Sequence, residues 1–139
     1  MTLRSNYPQD DRAVKQIIEY IHSPIFTNCS DVISKYGKLD IFFANAGVSG
    51  GFLMDGITSD SFMRTMKINT LSVFLAIKHA AAAMKAKGKG GSIIATASVA
   101  GIRAGAGGTD YSASKAAVIN LVQTSAWQLY GTNIRGTHL

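Results

Sequence analysis

The sequence predicts an α/β fold built on a parallel sheet, and three observations carry that prediction. Two short apolar runs, residues 40–44 and 92–96, each end in a loop rich in small residues. Each loop leads into a long stretch, residues 58–87 and 111–130, with apolar positions three and four apart. The resulting order is strand, helix, strand, helix. Helices that cross over between short buried strands leave those strands parallel. In such sheets the functional groups gather at the carboxyl ends of the strands.

The elements follow in order. Residues 1–11 read as a loose polar end. Residues 13–21 have helical spacing, with Asp10 or Asp11 as a cap, and Ser23-Pro24 breaks the run. A short helix is expected over 31–36, stopped by Gly37. The run 40–44 is a buried strand that ends at Asn45-Ala46-Gly47. After the loop from Val48 to Phe52, Thr58 caps the first long helix, and Asp60 lies near its positive dipole end. Phe62, Met66, Val73, Ile77, Ala80 and Met84 mark its apolar stripe. The glycines between 88 and 91 end it. Residues 92–96 form the second strand, and 99–109 a small-residue loop. In the second long helix Val118, Leu121, Val122, Ser125 and Leu129 form the stripe, and Gly131 ends it. A further strand is expected to begin at 133–135.

Composition narrows the function classes. The 139 residues make about one domain, and 47% are apolar, enough for a core. Net charge is +6, but the basic residues are scattered. The one dense cluster, Lys85, Lys87 and Lys89, falls at a helix end, where cations complement the dipole. Nucleic acid is therefore not an expected partner. Cys29 is the single cysteine, so no intrachain disulfide can form. No apolar run reaches the ~18 residues of a membrane span, and the first residues lack the apolar segment of a secretory signal. A cytoplasmic protein without a membrane partner is expected. No metal-ligand motif stands out.

Four residues carry chemistry. Tyr111 and Lys115 lie four apart in Tyr-Ser-Ala-Ser-Lys, so both fall on one helical face. A free phenol titrates near ~10, too high for efficient proton shuttling at neutral pH, and a cation within about 4–6 Å favours the phenolate. Reversible proton transfer to a carbonyl, or from an alcohol, is the chemistry such a pair suits. Ser98 lies thirteen positions before Tyr111, just past a strand. Asn69 falls on the apolar stripe between Met66 and Val73. A buried amide must find partners or cost about 1–3 kcal/mol. It is either a structural residue bonded to nearby backbone or an amide that holds a water or an active-site backbone group.

With these residues in place the chain resembles the short-chain dehydrogenase/reductase family. The matching segments are Leu39-Asp40-Ile41-Phe42-Phe43-Ala44-Asn45-Ala46-Gly47, Ile68-Asn69, the stretch from Gly91 through Ser98 to Gly101, and the run from Tyr111 through Lys115 to Val118. They span about residues 38–135. The resemblance implies a Rossmann-like, doubly wound parallel sheet in three α/β/α layers. It implies an NAD(P)-dependent oxidoreductase that moves hydride between a nicotinamide and a small carbonyl or alcohol. Tyr111 would exchange the proton with the substrate oxygen. Lys115 would activate Tyr111 and bind the nicotinamide-side ribose. Ser98 would hydrogen-bond the substrate oxygen, and Asn69 would hold a water linking Lys115 to solvent. Asn45, Ala46 and Gly47, with Tyr111 and Lys115, would shape the cofactor cleft. The resemblance also implies a homo-oligomer formed through helices 58–87 and 111–130.

The chain departs from the family pattern at both ends. An intact member opens with a strand, a Gly-rich turn and a phosphate-binding helix, whereas residues 1–39 hold only Gly37. Gly101, Gly105 and Gly107 reproduce the glycine spacing, but they lie between Ser98 and Tyr111. After Arg135 the closing loop of the family does not follow. The expectation is a partial Rossmann-like domain, truncated at both ends. Its alternative function is that of a catalytically inactive remnant that associates with a full-length relative or is unstable alone. The choice between NAD and NADP, made after the second strand of an intact member, is not written in these residues.

Overall fold

The computed structural model describes Ile25 and residues 27–51, 53–88 and 90–139. The helix expected over 13–21 lies outside the described residues. Three strands, β1 (Ile41–Ala44), β2 (Gly91–Ala95) and β3 (Ile134–His138), form one sheet in the order β1-β2-β3. Both pairings are parallel, with Ile41 opposite Ser92 and Ser92 opposite Arg135. The α/β class with a parallel sheet is as expected.

Helix α1 covers residues 27–36 and stops at Gly37, whose φ of 76° suits a residue without a Cβ. It begins earlier than residue 31 and carries Cys29 into the core, 3% exposed. Helix α2 (Ser59–Met66) starts where expected, because the Thr58 side chain accepts the Ser61 N–H at 3.2 Å. It runs through a π turn at Lys67–Leu71 into α3 (Ser72–Ala86). Helix α4 (Thr109–Gln128) begins two residues before Tyr111, with Gly108 as its N-cap.

The helices pack on one face of the sheet around a single cluster. Val73, Ile77, Ala80 and Met84 of α3 and Val118 and Val122 of α4 meet Ile93, Ala95 and Ile134 of the strands. Of the stripes predicted from spacing, Val73, Ile77, Ala80, Met84, Val118, Val122 and Leu129 are buried, while Phe62, Met66, Leu121 and Ser125 are only partly so. Met84, Ile93 and Val118 are essentially sealed from solvent, and each contributes about 1.5–3 kcal/mol by burial. Ile41 and Phe43 alternate to the opposite face, where they are exposed. Among the described residues one helical layer is therefore in place. Its packing fixes α2 and α4 side by side across the carboxyl ends of β1 and β2.

Candidate active site

The carboxyl ends of β1 and β2 are tied to each other. Thr96 Oγ1 donates to Asn45 Oδ1 at 2.8 Å, and the Thr96 N–H donates to the Ala44 carbonyl at 3.0 Å. Thr96 directly follows β2, which ends one residue earlier than its apolar pattern suggests. Its carbonyl accepts from Lys115 Nζ at 2.6 Å. Lys115 is 4% exposed, and its ammonium stands 5.7 Å from the centre of the Tyr111 ring. One helical turn separates the two, as their spacing requires.

A cavity of about 220 Å³ opens above this pair, lined by Asn45, Gly47, Val48, Ser49, Thr96, Tyr111 and Lys115. Gly47 leaves it open: a Cβ there would stand 3.2 Å from Asn69 Oδ1 and 3.6 Å from Lys115 Nζ. The structure thus brings together Asn45, Gly47, Tyr111 and Lys115. Ala46 and Ser98 do not line this cavity. Ser98 Oγ accepts the Ala100 N–H at 3.1 Å and caps the turn Val99–Gly101. That bond uses a lone pair and leaves the hydroxyl hydrogen to donate.

Asn69 lies beneath the cavity, fully buried. Its Oδ1 accepts the Val48 N–H at 2.8 Å, and its Nδ2 donates to the Val48 carbonyl and to Ser114 Oγ, both at 2.9 Å. Of the two roles open to it, the geometry displays a grip on the backbone of the loop after β1. The π turn places it there; such turns recur at functional sites. Beside it, Thr70 Oγ1 donates to the Ser114 carbonyl at 3.1 Å.

The sequence did not point to Thr65, Thr96, Asp110 or Ser114. Ser114 Oγ donates to the Tyr111 carbonyl at 2.7 Å, and Thr65 Oγ1 donates to Asp110 Oδ2 at 2.7 Å. Their one available signal is a shared spacing, since Thr65 and Asn69 are four apart on one helix and Asp110 and Ser114 four apart on the next. Of the glycines that mimic a phosphate turn, Gly101 and Gly107 serve packing instead, while Gly105 takes a φ of 75°. A Cβ on Gly101 would meet the α4 backbone at 2.8 Å, and one on Gly107 would meet the Tyr111 ring at 2.9 Å. Among the described residues no group of His, Cys, Asp and Glu could hold a metal ion. No helix among them is long and apolar enough to cross a membrane.

A profile of the family described as short chain dehydrogenase matches residues 22–138. The chain belongs to the short-chain dehydrogenase family. The Arabidopsis thaliana protein named short-chain dehydrogenase reductase 3a is 44% identical over 109 residues, which are 75% of this chain and 42% of that relative. An L-rhamnose-1-dehydrogenase of Scheffersomyces stipitis is 38% identical over 103 residues, 74% of this chain and 40% of the relative. Among solved structures, an NAD+-bound xylitol dehydrogenase superposes with a TM-score of 0.77 at 32% identity, over 84% of this chain and 45% of its own. The chain thus spans less than half the length of these short-chain dehydrogenases.

Proposed function

We propose that this chain carries the proton-transfer half of a nicotinamide-dependent oxidoreductase site acting on a small carbonyl or alcohol. The observation that carries the reading is the placement of Lys115 Nζ beside the Thr96 carbonyl and the Tyr111 ring, at the floor of an open cavity. An ammonium has three hydrogens, and one serves Thr96. The other two can meet ribose hydroxyls, and Gly47 gives them room. The residues therefore fit the sugar next to a nicotinamide. The cavity's ~220 Å³ falls below the ~300–1,000 Å³ of a full ligand pocket, so it holds only part of a dinucleotide. A nicotinamide cofactor, when bound, would supply or accept the hydride.

The chain's own residues move the proton. Tyr111 gives one to the substrate oxygen during reduction and takes one during oxidation. Lys115 keeps its ammonium beside the Tyr111 ring, 5.7 Å from its centre. Ser98 has its hydroxyl hydrogen available to the same oxygen. Asn69 holds the Val48 backbone, and with it the cavity wall, in place. A homo-oligomer formed through the long helices also belongs to this reading. Exposed Met63 and Phe74, with Met66, Leu71 and Leu121, line an apolar depression on those helices. The lone buried thiol suits a reducing cytoplasmic setting.

The test is turnover of a panel of small carbonyls and alcohols with both nicotinamide cofactors, read by nicotinamide absorbance. Loss of general acid–base transfer in Tyr111→Phe should lower the rate about 10²–10⁴-fold. Turnover that survives Tyr111→Phe, or none with any pair, would overturn the reading.

A further inference from the structure

We propose that Asp110 and Thr65 form a positioning clamp that sets the placement of Tyr111 and Lys115 against the loop after β1. The proposal rests on reading Tyr111 and Lys115 as the working pair. Two polar rungs join α4 to the helix that carries Thr65 and Asn69. One is Thr65 to Asp110 at 2.7 Å, and the other is Asn69 to Ser114 at 2.9 Å. The rungs are one helical turn apart on both helices, so they fix axial offset and rotation together. All four residues are at most 2% exposed.

Both rungs end on Tyr111. Asp110 Oδ1 accepts the Tyr111 N–H at 2.9 Å, while Ser114 Oγ donates to the Tyr111 carbonyl at 2.7 Å. The N–H lies in the first turn of α4, where no intrahelical carbonyl is available to it. A side chain from each rung therefore grips the tyrosine backbone at either end. Both rungs also reach the loop after β1. Asn69 bonds Val48, and Gly50 lies so close to the Asp110 carboxylate that a Cβ there could not be accommodated.

A carboxylate is a costly group to seal from water. Among the described residues no cation pairs with Asp110; the two donors and the positive end of α4 stabilise it. Thr65 has a single hydroxyl hydrogen. Its contact with Asp110 is shorter than the 3.1 Å to the Ser61 carbonyl, and charge assistance favours it. Apolar side chains would hold two helices together as well. What they could not supply is a directional grip on the Tyr111 amide. Asp110 is thus a positioning residue acting through the backbone of its neighbour.

The test uses the full, isotope-labelled chain and two NMR readouts that need no cofactor. These are amide exchange at Tyr111 and the Overhauser contact between the Tyr111 ring and the Lys115 ε-methylene. Asp110→Ala should speed Tyr111 exchange by about tenfold or more, with Val118 and Val122 unchanged, and should remove the contact. Asp110→Asn keeps an acceptor oxygen and should restore both. If Asp110→Ala does not fold, Thr65→Val decides: it should weaken the contact, and Thr65→Ser should restore it. Unchanged readouts in a folded variant, no rescue by Asn, or equal acceleration along all of α4 would each overturn the clamp. The last result would make it a general stabiliser. Absence of hydride transfer would count against the proposed function and leave these readouts standing.

Discussion

Replacing Asn69 by alanine tests the support of the site at its most buried point. The substitution deletes three hydrogen bonds, one accepted from the Val48 N–H and two donated to the Val48 carbonyl and Ser114 Oγ. At about 0.5–1.5 kcal/mol net apiece the gross loss is about 1.5–4.5 kcal/mol. Two compensations pull it toward the lower half. Val48 is only partly buried, so its backbone can regain water, and Ser114 keeps its bond to Tyr111. The expected cost is therefore about 2–3 kcal/mol. Urea unfolding followed by circular dichroism reads it as a lower midpoint with an unchanged slope. Exchange at the Val48 amide should quicken in parallel. A loss below about 0.5 kcal/mol, with Val48 still protected, would refute the reasoning that Asn69 holds the cavity wall.

Other predictions follow from packing and ionisation. Gly101→Ala places a Cβ 2.8 Å from the backbone at Lys115 and Ala116. It should destabilise by about 1–3 kcal/mol, as overpacking does, measured by the same unfolding assay. Burial pushes the Cys29 thiol above its ordinary 9.0. The native chain should therefore resist alkylation at pH 8 and react quickly once unfolded. A raised folded value means that this contribution to stability is complete below about pH 9. It is lost as pH climbs from there through the folded value. Stability that rises with pH in that window in wild type, relative to Cys29→Ala, would contradict it.

The fold was legible where local pattern and packing agree. The stripe from Val73 to Met84 and the pair Val118 and Val122 are the core because three-and-four spacing puts them on one face. Thr58 announces a helix start by chemistry that needs only three residues. Boundaries shifted where tertiary demands intervene. Thr96 looks like strand but gives its carbonyl to Lys115. Helix α4 starts at Thr109 because Gly108 provides the cap and Asp110 serves the first turn. The site divided in the same way. Tyr111 and Lys115 declare themselves by spacing, and Asn69 by being polar on an apolar stripe. Thr65, Asp110 and Ser114 gave no such sign, since their bonds span 45 residues and exist only once two helices lie side by side. The resemblance implies a water-holding amide at Asn69, and to that expectation the structure adds its bonds to Val48 and Ser114.

In the proposed function the cavity over Lys115 receives the sugar next to a nicotinamide. An NMR titration of the full chain with NADH and with NADPH tests it most directly. Shifts should concentrate at Asn45, Gly47, Thr96, Tyr111 and Lys115. Because the cavity holds only part of a dinucleotide, binding should be weak, with a dissociation constant of about a millimolar, and Lys115→Ala should abolish it. Shifts that avoid these residues, or that persist undiminished in Lys115→Ala, would contradict the account.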